Sequence, residues 1–160
     1  MMSMKSLTAA TLVSAAIAVA GSAVPAAASV KIGVLTCRVA PGVGMVVASS
    51  KAVACEFAPT GFKAEHYNGR ISKLGVDIGF TTSGVIVWGV FAPHGGYSHG
   101  ALAGHYGGAT AEATVAVGLG ANALVGGSGR SFALQPFSVT GQTGLGVAAG
   151  IAGLDLTQAR

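Results

Sequence analysis

The residues best equipped for chemistry lie in a glycine-rich stretch, 92–108, which carries His94, His99 and His105 with Tyr97 and Tyr106 close by. Three imidazoles could form an open zinc or copper site. Their spacings of five and six residues match no standard ligand template, and no Cys or Asp lies among them. A solvated loop is the competing reading, and a metal-binding domain built on these histidines is kept as the alternative function. Five carboxylates, Glu56, Glu65, Asp77, Glu112 and Asp155, are scattered singly. Glu65 or Glu112 could meet His66 or His105 to form an acid–base pair, although no spacing favours it. The chain has no H-E-x-x-H pair and no phosphate loop, and its one G-x-S-x-G run, Gly96 to Gly100, lies in the glycine-rich stretch rather than at a strand-to-helix elbow. Gly118-Leu119-Gly120 opens like a dinucleotide motif but has Ala123 where the third glycine belongs. No catalytic residue and no cofactor are assigned.

Two cysteines, Cys37 and Cys55, complete the reactive inventory. In an oxidising compartment such a pair forms a bridge, and a reactive thiol would need a more basic setting than Arg38 and Lys51 provide. Phe80, Trp88, Phe91, Phe132 and Phe137 recur within strand-like runs. They could line an apolar cavity or simply fill a core.

The elements that must position these residues read as strands. Apolar, β-branched runs cover 30–39, 45–48 and 52–58, separated by Pro41-Gly42, Ser49-Ser50 and Pro59-Thr60-Gly61. These separators are turn chemistry. The extended runs 62–67 and 70–81 are parted by Asn68-Gly69, which predicts a hairpin. Leu74, Val76, Ile78 and Phe80 alternate with Lys73, Gly75, Asp77 and Gly79, the period of a strand. The run 85–91 is apolar at nearly every position, which predicts a strand covered on both faces. Strand patterns resume at 111–119, 122–125, 131–140 and 144–157. A bulge is expected at Gln135-Pro136 and a kink at Gly153. One short helix is allowed, at 109–116 or 147–154, where alanine is frequent. With 26 glycines, many inside strands, the pattern suits the tight corners of a small closed barrel. The expected fold is therefore all-β: a compact antiparallel glycine-rich barrel or barrel-like sandwich. A Cys37–Cys55 bridge would force 45–48 out from between its two strands, because next-but-one strands stand too far apart to be bridged.

The first 28 residues differ from the rest. Lys5 gives a charged start, 7–24 is uncharged and apolar, Pro25 breaks the run, and Ala26-Ala27-Ala28 supplies small residues at a cleavage site after Ala28. This is the pattern of a secretory signal peptide rather than a permanent span. Residues 29–160 then form one β domain, exported to the periplasm or the medium. Losing Lys5 leaves eight Lys and Arg against five Asp and Glu, a formal +3. The charges are dispersed, which argues against a nucleic-acid partner.

Several stretches carry a resemblance. They are Ile32-Gly33-Val34-Leu35-Thr36-Cys37, the run from Ile71 to Gly79, and Val87-Trp88-Gly89-Val90-Phe91-Ala92-Pro93. Gly118 to Asn122 with Leu124 to Gly127, and Leu134-Gln135-Pro136 followed by Gln142 to Leu145, extend it. Together they resemble a family of small secreted alphaproteobacterial proteins, domain of unknown function 992, which implies no activity. The three histidines stand outside that pattern. The second half, from Val76 to Val147, is also similar to the glycine-rich barrel core of envelope-integrity and SYLF-type lipid-binding proteins. The functional expectation is a non-enzymatic envelope protein, either lipid-binding or structural. An integral outer-membrane barrel is disfavoured by the few aromatics available for interfacial girdles.

Overall fold

The computed structural model describes residues 29–44, 48–74, 79–81, 83–93, 95–108, 123–140 and 151–160. Strands dominate: β1 (Val30–Val39), β2 (Gly42–Gly44), β3 (Ala48–Pro59), β4 (Glu65–Leu74), β5 (Gly79–Thr81), β6 (Gly84–Ala92), β7 (Gly104–Gly108), β8 (Leu124–Gly126), β9 (Phe132–Thr140) and β10 (Ile151–Gln158). A single 3₁₀ turn, Ser128–Arg130, is the only helical element among the described residues. Of the two stretches allowed as a short helix, 109–116 lies outside the described residues. The other is overturned in its second half, where Ile151 to Leu154 are strand.

Eight strands close into an antiparallel barrel in the order β1-β3-β4-β10-β7-β8-β9-β6, while β2 and β5 pair separately. The order resolves into two Greek keys, each a run of three neighbouring strands whose fourth strand returns beside the first. In the first key β6 returns to β1, and in the second β10 returns to β7. Each returning strand also pairs with the third strand of the other key, β6 with β9 and β10 with β4. These two junctions close the barrel and leave it no open edge.

Alternation decides what fills it. On β3, Lys51, Val53, Cys55 and Phe57 are buried, whereas Ala52, Ala54 and Glu56 are exposed. On β6, Ile86, Trp88 and Val90 point inward. Leu35, Phe57, Trp88, Tyr106, Leu134 and Leu154 have no exposed surface at all, so no water-sized space opens against any of them. Around these residues the interior is packed with side chains, as in other small barrels. Cys37 and Cys55 face each other directly across the β1–β3 pair, both buried, with Cα atoms 4.0 Å apart and the sulfurs bonded. As the bridge requires, β1 and β3 are immediate neighbours. The residues between them include β2, displaced onto β5; 45–47 lie outside the described residues.

Three sequence expectations need correction. Asn68-Gly69 is not a turn: β4 runs straight through it, pairing with β3 on one side and β10 on the other. Glycine is needed there because a Cβ would stand 1.9 Å from the carbonyl oxygen of Asp155, so close do the two backbones pass. Ser49-Ser50 is not a separator either, since both residues pair with β4 opposite Lys73 and Ser72. The outer face of β6 is only partly covered: Val85, Val87 and Phe91 are half-buried. The bulge near Pro136 is present, with the register slipping between Val87 and Trp88 so that Phe137 is the extra residue. A second slip between Ile151 and Gly153 accounts for the expected kink.

Candidate functional site

One mouth of the barrel is described except at residue 94. It gathers the start of β1, the β3–β4 turn, the β6–β7 connection, the β8–β9 turn and the end of β10. Residues 95–103 of the β6–β7 connection fold over this mouth and push Ala101 and Leu102 into it, both buried. The Tyr106 hydroxyl donates to the Leu102 carbonyl at 2.8 Å and fixes the plug from below. Tyr97 lies between two rings, edge-on to Phe57 at 5.3 Å and to Phe62 at 5.7 Å.

Under this plug sits a buried carboxylate. Glu65 opens β4 on the same inward face as Tyr67 and Ile71, and its side chain is only 3% exposed. Burial of an unpaired carboxylate would be costly, and here every partner comes from the mouth. The Tyr67 hydroxyl donates to Oε2 at 2.5 Å and the Gly100 N–H donates to the same oxygen at 3.1 Å. His99 Nδ1 stands 2.5 Å from Oε1. Its Nε2 is 2.8 Å from the Gln158 side-chain nitrogen at the end of β10. This geometry fits a neutral imidazole that donates from Nδ1 to Glu65 and accepts at Nε2 from the Gln158 amide.

The electrostatics follow from these contacts. Burial alone would raise the Glu65 pKa. The Tyr67 hydroxyl, the Gly100 N–H and the His99 N–H outweigh it and hold the carboxyl below its ordinary value. The phenols respond in the opposite sense. Burial, then the Glu65 carboxylate, push Tyr67 and Tyr97 well above the normal tyrosine range, and burial does the same to Tyr106. A carboxylate orienting an imidazole is half of a proton-transfer device. Here the other imidazole nitrogen meets an amide rather than a nucleophile, so the arrangement ties the plug to β4 and β10.

The sequence candidates are dispersed around this centre. His99 is in the connection, but His105 lies on β7, where its Nδ1 meets Asp155 of β10 at 2.7 Å on the outer wall. His94 lies outside the described residues. Among the described residues no three His, Cys, Asp or Glu side chains gather as a metal site. The partner of Glu65 is His99, not His66 or His105; His66 points outward on β4, opposite Glu56. Glu112 lies outside the described residues. Trp88 and Phe132 are interior, Phe91 and Phe137 lie on the outer wall, and nothing is described of the Phe80 side chain. The five aromatics therefore do not line one cavity. The only advance signal for the carboxylate cluster was Glu65-x-Tyr67, two residues that share a face once they lie in one strand.

A family model described as "Protein of unknown function (DUF992)" matches residues 15–157. The chain belongs to the DUF992 family. Comparison with curated proteins and with solved structures brings up no match. The resemblance read from the sequence is thus borne out for DUF992.

Proposed function

We propose that this DUF992 protein is an exported, non-enzymatic envelope protein that works by surface contact, touching lipid or supporting envelope structure. The observation that carries this reading is the filled interior: with Trp88, Phe57, Leu134 and Leu154 at zero exposure, a ligand has no room beside them. Small barrels that carry ligands keep that space open, so among the described residues the outer wall is the surface that supports a contact role. Export rests on residues 1–28, read as a cleavable leader, and the Cys37–Cys55 bridge is compatible with an oxidising compartment. That outer wall is unlike the belt of an integral membrane barrel. Arg70 on β4, Asp155 on β10 and His105 on β7 stand in one row across three adjacent strands, facing outward where lipid would be.

The test is expression of the full chain in a Gram-negative host, followed by fractionation, intact mass and native mass spectrometry. The expected result is a chain beginning near Ser29 in the periplasm or medium, bridged, and carrying no stoichiometric small molecule. An unprocessed chain in the cytoplasm would overturn the export reading. A ligand or metal retained at one per chain would overturn contact as the mode of action.

A further inference from the structure

The wall built by β1, β6 and β9 differs from the rest of the barrel. Outward-facing Val34, Val87 and Phe91 are half-buried, and Phe137 is 57% exposed. The bulge at Phe137 turns an extra aromatic side chain onto this wall. Gly89 makes room for it. A Cβ at that position would stand 3.0 Å from the Phe91 ring and 3.3 Å from the Phe137 ring. Both rings therefore lie over a strand position with no side chain, forming an aromatic platform. Lys31, directly opposite Phe91, brings its ammonium to 5.0 Å from the centre of the Phe137 ring. Arg38, opposite Val85, is the exposed cation farther along β1. Of the described carboxylates, Glu65 is inside and Asp155 faces His105, while Glu56 faces outward on β3 opposite Thr36 and borders the wall on the β1 side.

Aromatic rings beside cations, on a wall with exposed apolar side chains, match the chemistry of an anionic lipid surface. The rings suit the boundary between headgroups and acyl chains, and the cations suit the phosphates. We infer that the β1–β6–β9 wall docks on an anionic lipid surface, with Phe137 and Phe91 entering the headgroup boundary and Lys31 meeting lipid phosphate. The inference rests on the contact reading above and names the face and the partner. A second copy of the chain is the competing occupant; the two flanking cations would repel their equivalents across a twofold contact and favour the lipid.

Flotation of the mature, bridged protein with vesicles of pure phosphatidylglycerol, and separately of pure phosphatidylcholine, tests it. Binding is expected to phosphatidylglycerol and to weaken as salt is added. Phe137→Ser should weaken partition about tenfold, the effect of withdrawing roughly one exposed apolar side chain from the boundary. Lys31→Gln should weaken it about fivefold, as for one cation near an anionic surface. Arg70→Gln, on the opposite wall, should change it by less than about twofold on the same grounds. Unchanged Trp88 fluorescence and melting temperature confirm that each variant is folded. Binding that depends on Arg70, or on none of the three residues, overturns this face and leaves the contact reading standing. Equal binding to both vesicles overturns the anionic preference. No binding to either removes the lipid part of the reading and the inference with it. A Phe137-dependent dimer in sedimentation without vesicles assigns the face to a second copy.

Discussion

Replacing Glu65 with glutamine preserves the size of the buried group under the plug and removes its charge. The amide carbonyl can still accept from Tyr67 and Gly100, which share one oxygen of the carboxylate. Hydrogen bonds to a charged acceptor contribute about 1.5–3 kcal/mol and neutral ones about 0.5–1.5, so two bonds lose roughly 2 kcal/mol together. His99 adds little to this figure, because its side chain is 78% exposed and solvent screens its attraction to Glu65 to about 0.5 kcal/mol or less. The effect should depend on pH with a definite sign. Glu65 titrates lower in the folded protein than its ordinary value, so its contribution is complete above that ordinary value. It is lost as the pH falls through the lowered folded value, where the wild-type carboxyl becomes neutral like the amide. Urea unfolding followed by fluorescence of Trp88, the sole tryptophan and wholly buried, gives the stabilities. Wild type should exceed Glu65→Gln by roughly 2 kcal/mol at about pH 7, and the gap should narrow steadily in acid below about pH 4. A gap that is the same at both ends, or absent at neutral pH, would refute the account of Glu65 as an ionised anchor.

The remaining expectations are more compact. Reducing the Cys37–Cys55 bridge, or replacing both residues with serine, should cost roughly 3 kcal/mol in the same unfolding assay, from the 18-residue separation it spans. Gly69→Ala should destabilise by at least about 1–3 kcal/mol because its methyl group has no room beside Asp155, while Asn68→Ala, exposed, should stay within about 0.5; matching melting temperatures for the two variants would count against the close strand approach. All three tyrosines, Tyr67, Tyr97 and Tyr106, are shifted upward. The native protein should therefore show no tyrosinate absorbance near the ordinary phenol value of about 10, and a step there would show a phenol free of burial.

The fold class was legible because alternation and turn chemistry are local signals. The disturbance at Pro136 and the kink at Gly153 were readable as written, and the cysteine pair limited which strands could be neighbours. Asn68-Gly69 misled because the same dipeptide that suits a tight turn also suits two backbones in close contact. Choosing between these requires β10, which is distant in sequence. The outward apolar phase of β6 was read as a covered face for a similar reason, since periodicity reports side-chain direction and not what lies opposite. The Glu65 cluster was the least legible. Its members come from β4, the β6–β7 connection and β10, and only the barrel order brings those three segments to one mouth.

The exchange of fourth strands between the two Greek keys constrains assembly of the barrel. β4 has an unpaired edge until β10 arrives, and β10 is the last strand in the chain order. A chain emerging from its N-terminal end therefore builds the whole first key with that edge open, and completes it only from the far end of the second. Such delayed long-range pairing is slow, and an open edge can recruit strands from other molecules. The interval before β10 docks, with the edges of both β4 and β7 open, is thus when this protein is most exposed to misassembly.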